Sequence, residues 1–283
     1  VTAFEPVSVY AHQFSNARSD AALILPENSL GKDYVAATYA GHFEEGRGHP
    51  AELLVVAAFP NTEVYIHPTS RTHRNRGPGR PITVRLAKGE TYQVQASHYS
   101  GDLTGSLITS NKPVALFSGN MWTQVPSACR APDNLFVQMC PMESAGKEFV
   151  VVPSSQSGFD VIRIIAPRTG TEVFIDGAYT TTLYEGEFWE MTLRDAPVYI
   201  RTGRPVMVAR YLTGYACAAD GGESLQSDPS LYLVNHLKQS VQEAVIWAPS
   251  QARIAVQDLE MVVRNGDVGS VKIDGNMVAG FKP

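Results

Sequence analysis

Two stretches, Ile108-Thr-Ser-Asn-Lys-Pro-Val-Ala-Leu-Phe117 and Ile200-Arg-Thr-Gly-Arg-Pro-Val-Met-Val-Ala209, decide the reading of the fold. In each, a short polar turn leads through a proline into an apolar, β-branched run. That is a strand entered at proline, a position where the missing N–H is tolerated. A third version, Glu5-Pro-Val-Ser-Val-Tyr10, stands near the start.

Other segments recur around these in a fixed order. Gly31-Lys-Asp-Tyr34 is echoed by Gly146-Lys-Glu-Phe149. Thr62-Glu-Val-Tyr-Ile66 is echoed by Thr171-Glu-Val-Phe-Ile-Asp-Gly177 and by Val271-Lys-Ile-Asp-Gly275. Leu86-Ala-Lys-Gly-Glu-Thr-Tyr92 is echoed by Leu183-Tyr-Glu-Gly-Glu-Phe-Trp189. Ordered recurrence of this kind marks internal repeats. With Pro6, Pro113 and Pro205 as equivalent positions, the units are residues 1–112, 113–204 and 205–283, the third cut short. One integrated domain is the alternative.

The chain between these marks is a series of runs of four to eight residues, such as Leu53–Phe59, Ile82–Leu86 and Val161–Ile165, broken by Gly, Pro, Asn and Asp. Tyr92-Gln-Val-Gln95 alternates at period two, whereas the doubly apolar runs read as strands covered on both faces. Only Ser230–Val245 carries a pattern open to a helix. The fold class is all-β: three pseudo-repeats of roughly eight strands in tandem sandwich-like units, with a propeller-like closed ring as the alternative.

Composition agrees and excludes several functions. Of 283 residues, 44% are hydrophobic and 18% charged, enough apolar content for a core and too little charge for long amphipathic helices. The net charge of −5 lacks the basic excess of a nucleic-acid binder. No apolar run approaches the roughly 20 residues of a membrane-spanning helix. A start at Val1 fits a mature secreted chain or a trimmed one. Three cysteines, Cys129, Cys140 and Cys217, are too few for a disulfide scaffold or a zinc site. They allow one disulfide with one free thiol, or buried thiols.

Three segments, Asp102–Asn120, Gly146-Lys-Glu-Phe-Val-Val-Val-Pro153 and Asp228-Pro-Ser-Leu-Tyr-Leu-Val234, resemble the IgG-Fc-binding-protein N-terminal domain family. The resemblance runs from about Val7 to Phe281, in family order. It implies a secreted or cell-surface binding module of large multidomain proteins, mucus-associated in animals and adhesin-like in bacteria, with no catalytic residues. Members commonly carry a cysteine shortly after the Ser-Gly-Asn segment, where this chain has Met121-Trp122. That leaves Cys140 or Cys217 as the partner of Cys129. Members also continue past the strand resembling Val271–Phe281, whereas this chain ends at Pro283. No motif for Fc binding is matched.

Enzyme signatures (GxSxG, HExxH, P-loop, GxGxxG) are absent, so neither catalysis nor a cofactor is expected. The loop Thr69–Pro81 crowds Arg71, His73, Arg74, Arg76 and Arg80 around Gly77, Pro78 and Gly79, where the second unit has only Gly177-Ala-Tyr179. Guanidinium groups grip carboxylate, sulfate or phosphate bidentately, so Arg71, Arg74, Arg76 and Arg80 are candidate ligands for an acidic glycan or acidic patch. The plainer reading is a solvated hairpin tip. Trp122 is the tryptophan best placed on a loop to stack on a ligand, whereas Trp189 sits inside a strand and Trp247 is unassigned.

His42 and His49, beside Glu44 and Glu45, could hold a metal, but no ligand spacing supports one and none is expected. Asp220–Asp228 reads as a polar turn rather than a calcium loop. Gly89-Glu90 and Gly186-Glu187 read as repeated turns with solvent-facing glutamates rather than a carboxylate pair.

The expectation is a non-catalytic extracellular or cell-surface adhesion module. Its long inter-strand loops would contact a host or matrix glycoprotein or glycan. The alternative is a subunit that binds copies of itself by strand addition to form a filament or layer. A carbohydrate-active enzyme ranks last. Nucleic acid and membrane insertion are not expected.

Overall fold

The computed structural model describes residues 1–15, 18–73, 77–155, 157–217, 227–246 and 257–281. Arg74, Arg76, Trp247 and residues 220–226 of the polar turn lie outside the described residues. The chain forms two compact units, Val1–Ser240 and Val241–Pro283.

The larger unit opens with a hairpin of β1 (Val9–Ser15) and β2 (Arg18–Ile24). The first repeat contains β3 (Gly31–Val35), β4 (His42–Glu44), β5 (Arg47–His49), β6 (Ala51–Ala57), β7 (Thr62–His67), β8 (Ile82–Leu86), β9 (Thr91–Gln95), β10 (Leu107–Thr123) and β11 (Asp133–Gln138). The second contains β12 (Gly146–Val151), β13 (Asp160–Ile165), β14 (Thr171–Ile175), β15 (Ala178–Leu183), β16 (Phe188–Leu193), β17 (Val198–Leu212) and β18 (Ser230–Leu233). The smaller unit carries one hairpin, β19 (Lys272–Ile273) with β20 (Asn276–Met277), turning at Asp274 and Gly275, both with positive φ.

The repeats have one topology. The first is ordered β8-β7-β10-β6-β9 with β3 and β11 also on β10; the second is β15-β14-β17-β13-β16 with β12 and β18 also on β17. All pairings are antiparallel. One long strand thus serves two four-stranded sheets and curls them into a barrel-like body. This differs from propeller blades, which do not share a strand.

Each repeat pairs seven strands in its curled sheet, where the sequence reads as roughly eight, because the runs on either side of the proline are one strand. Pro113 and Pro205, the markers of the unit boundaries, lie inside β10 and β17. β10 pairs with β7 through residues 107–110 and with β6 through 114–120, so Pro113 falls where the strand changes partner. A missing N–H is harmless at that break.

The echoed glycines have a steric cause. Gly31 lies opposite Val114 and Gly146 opposite Val206. A Cβ on Gly31 would sit 2.3 Å from Pro141, and one on Gly146 would sit 2.2 Å from His236. The echoed Glu90 and Glu187 close their own turns, their carboxylates accepting from the backbone N–H of Ala87 (2.6 Å) and Tyr184 (2.9 Å). They are not a carboxylate pair.

β13 is buried along its whole length, as its unbroken apolar run predicts. Ile162 and Ile164 face the core of their own repeat together with Phe149, Ile200 and Val208. Val161 and Ile165 face the other way, joining Met207, Ala209 and Tyr211 in the core of the first repeat. The two repeats therefore share a hydrophobic core. A disulfide between Cys129 and Cys217, with Cα atoms 5.3 Å apart, joins the β10–β11 loop to the connection after β17. Cys140 is a free, half-buried thiol whose pKa burial raises.

Asp20 of β2 ties the first hairpin to both repeats. Its carboxylate accepts from Phe136 N–H (2.8 Å) and from the Ser230 hydroxyl (3.0 Å). Burial, only partly offset by those bonds, pushes its pKa up to about 7 from 3.8. Burial likewise lifts Asp133 on β11 to about 6. Between the unfolded and folded values the native state holds the extra protons, so stability falls as pH rises through that window and levels off above about 7. For Asp20 the slope is at most about 1.4 kcal/mol per pH unit. Thermal melting from pH 5 to 8 is expected to show this decline and Asp20→Asn to flatten it. Equal slopes in both proteins would refute the assignment.

Candidate binding surface

The surface grows from a buried ion cluster between the repeats. Arg163 of β13 is 5% exposed. Its guanidinium donates to Asp102 Oδ2 (2.7 Å), Glu190 Oε2 (2.8 Å), the Thr38 carbonyl (2.9 Å) and Thr104 Oγ1 (2.9 Å). It also stacks on Tyr39 and Phe188, each ring centroid 4.3 Å from the guanidinium carbon. Burial alone would raise the Asp102 carboxyl, but Arg163 and the Thr104 and Thr38 hydrogen bonds hold it below its ordinary value. The Tyr211 hydroxyl donates to the same Thr38 carbonyl at 2.7 Å.

An open cleft lies above this cluster, lined by Thr69, Asp102, Thr104, Gly186, Glu187 and Phe188. Gly186 belongs to the second of the two echoed turns. It packs so closely on Gly105 that a Cβ there would sit 1.8 Å from the Gly186 carbonyl oxygen. The equivalent Gly89 has open space around it. One turn of the pair has thus become an inter-repeat contact.

The first repeat also carries a cluster of surface aromatics. Beyond Thr69, the Arg71 carbonyl accepts from Ser97 N–H (2.8 Å), and Thr72 bridges to Ala96. These bonds anchor the arginine-rich loop beside the turn that carries His98 and Tyr99. The His98 and Tyr99 rings are 4.1 Å apart, and Tyr99 lies 5.3 Å from Phe43 on β4. Gly41 N–H donates to the Tyr99 carbonyl, so the β4–β5 hairpin is seated on this turn. Glu44, which follows Phe43 on β4 and by strand alternation points the other way, accepts from Trp122 Nε1, and the Arg18 guanidinium covers the Trp122 ring at 4.2 Å.

This places the residues singled out in sequence. Arg71 and Arg80 are exposed at the two bases of the arginine-rich loop, and Trp122 on β10 is partly buried beneath Arg18. Trp189 packs partly buried against its repeat's core. His42 and His49 face each other across β4–β5, but no His, Cys, Asp or Glu group among the described residues is arranged to hold a metal. Burial and then the nearby Arg18 charge lower the His49 pKa. Phe43, Tyr99 and Arg18 were missed by sequence reasoning. The exposed aromatic in a short hairpin, Phe43, was the available signal; Arg18 had none, because its partner lies about a hundred residues away.

The family model described as IgGFc binding protein matches residues 20–283. The chain belongs to this family. Human IgGFc-binding protein is 27% identical over 212 residues, covering 71% of this chain and 4% of the human protein. The chain therefore spans a small part of that IgGFc-binding relative. No solved structure matches it. No helix among the described residues is long and apolar enough to cross a membrane.

Proposed function

We propose that the chain is a non-catalytic binding module of an extracellular or cell-surface protein, recognising a glycoprotein through the residues around the β4–β5 hairpin, Phe43, Tyr99 and Trp122. The observation that carries this reading is the Phe43–Tyr99 ring pair on the β4–β5 hairpin, with Phe43 51% exposed, and Trp122 bound to Glu44 of the same hairpin. Aromatic side chains flanked by arginines are common binding anchors, since they give apolar contact at little entropic cost. Arg71, whose backbone is bonded to the turn carrying Tyr99, would steer acidic groups toward it.

Membership of the IgGFc-binding family makes immunoglobulin Fc the first probe. Binding of the full chain to immobilised human IgG Fc, native and enzymatically deglycosylated, and to mucin tests the reading. Trp122→Ala and Phe43→Ala are each expected to weaken binding by about tenfold or more, the effect of losing an anchor. Arg71→Ala is expected to act mainly at low salt. Binding to none of these probes, or binding indifferent to both aromatic changes, would exclude this face.

A further inference from the structure

The β1–β2 hairpin is seated on the repeats largely through polar side chains. Its apolar residues Phe14 and Leu23 are 70% and 52% exposed, and among the described residues of β1 and β2 only Asp20 and Ala22 are buried. Asp20 accepts from Phe136 N–H and from the Ser230 hydroxyl. Ser19 N–H donates to Asp133 (3.3 Å), Leu25 N–H to Gln138 Oε1 (2.9 Å) and Asn134 Nδ2 to Gln13 Oε1 (3.3 Å). Each of these five bonds uses a side chain, and three of them end on the buried carboxylates of Asp20 and Asp133. An element with so few buried apolar contacts opens locally at low cost.

The same strand carries the group that covers a binding residue. Arg18, the first residue of β2, lies over the Trp122 ring with its guanidinium carbon 4.2 Å from the centroid, a cation–π contact. Arg18, Ser19 and Asp20 are consecutive, and they meet Trp122, Asp133 and the Phe136–Ser230 pair in turn. Whatever loosens the carboxylate bonds therefore also frees Arg18 from the indole.

We infer that the β1–β2 hairpin is a proton-sensitive cover of Trp122, seated while Asp20 and Asp133 are protonated and lifting Arg18 off the ring as they ionise, a regulation that rests on the binding reading above. The groups facing the two carboxyls set the direction. Asp133 raises Asp20, Asp228 ahead of β18 raises Asp133, and Arg18 partly offsets this by favouring the Asp133 carboxylate. On the Trp122 side, Glu44 is bonded to the indole, and His49 is lowered from 6.5 by burial and then by Arg18, so its charge opposes seating only in acid. His12 bonds the Ser19 hydroxyl within the hairpin and moves with it. The seated hairpin holds Asp20 at about 7 and Asp133 at about 6, both raised from 3.8. The seated state thus keeps its protons longer, and seating weakens as pH rises through that window and levels off above about 7. Each carboxyl shifts the opening equilibrium by at most about tenfold per pH unit.

The test reads Trp122 with no ligand present. In the full chain carrying Trp189→Phe and Trp247→Phe, acrylamide quenching of Trp122 is expected to rise severalfold between pH 5.5 and 8, most steeply from 6 to 7. Arg18→Ala in that background is expected to give the high value at every pH. Asp20→Asn is expected to remove most of the change between pH 6 and 7, where Asp133 is already largely ionised. Hydrogen exchange on the unmodified chain checks the movement without touching a tryptophan. By pH 8, β2 is expected to have lost its protection while β13 keeps its own.

Quenching that stays level to pH 8 would overturn the cover. So would equal protection of β2 and β13 at pH 8, or an Asp20→Asn chain that keeps the full change between pH 6 and 7. Binding to immobilised IgG Fc is then expected to be severalfold tighter at pH 7.5 than at 5.5. Absence of Fc binding beside pH-dependent quenching would count against the binding surface alone, so the two failures are distinct.

Discussion

Arg163→Met is expected to destabilise the protein by about 3–5 kcal/mol, the cost of stranding a buried charge by removing its partner. At this chain length that corresponds to a fall in Tm of roughly 10 °C. The guanidinium serves Asp102, Glu190 and Thr104 together with the Thr38 carbonyl, and among the described residues no other cation is hydrogen-bonded to Asp102. Methionine approximates its volume and leaves the Tyr39 and Phe188 contacts apolar, so the loss isolates the electrostatic role.

Two consequences separate that role from packing. Asp102→Asn added to Arg163→Met should restore part of the loss, because the stranded carboxylate is gone. The single variant should also be relatively less impaired near pH 4.5 than at pH 7.5. Without Arg163, burial raises the Asp102 carboxyl, and its protonation then relieves the penalty. A loss below about 1 kcal/mol, or a pH-independent one, would show that the cluster contributes packing alone.

Reduction of the Cys129–Cys217 disulfide is expected to have the next largest effect. The bridge closes a sequence separation of 88 residues, for which the chain-entropy account gives about 4.6 kcal/mol. It also pins the β10–β11 loop of one repeat to the other, so its loss should loosen the contact between the repeats first. Melting with and without a thiol reductant checks this: a drop of roughly 10 °C is expected, reproduced by Cys129→Ala/Cys217→Ala. Cys140→Ser should not reproduce it. Unchanged melting after verified reduction would mean that the shared core alone holds the repeats together.

Much of the fold is legible in residues that act locally. Period-two alternation marked β9, and unbroken apolar character marked β6 and β13. The echoed glycines and prolines marked equivalent places in the repeats. The boundaries were less legible. Pro113 reads as a start, since a proline ordinarily cannot sit inside a paired strand, yet β10 passes through it at the residues where neither neighbour needs its N–H. Of the residues in the proposed binding surface, only Trp122 and Arg71 stood out in sequence. Phe43 and Tyr99 are an ordinary hairpin residue and an ordinary turn residue until the fold sets their rings side by side.

By itself, the sequence determined the all-β class, the repeat and the turns, because each depends on side chains within a few residues of one another. Only the tertiary structure decided that Arg163 meets Asp102, that Trp122 meets Glu44, that Cys217 rather than Cys140 joins Cys129, and that one echoed turn, not the other, packs on Gly105. Backbone hydrogen bonds between strands are nearly the same for any residues that make them. Which strand pairs with which is therefore settled by the joint burial of distant side chains, and that choice exists only once the chain has folded.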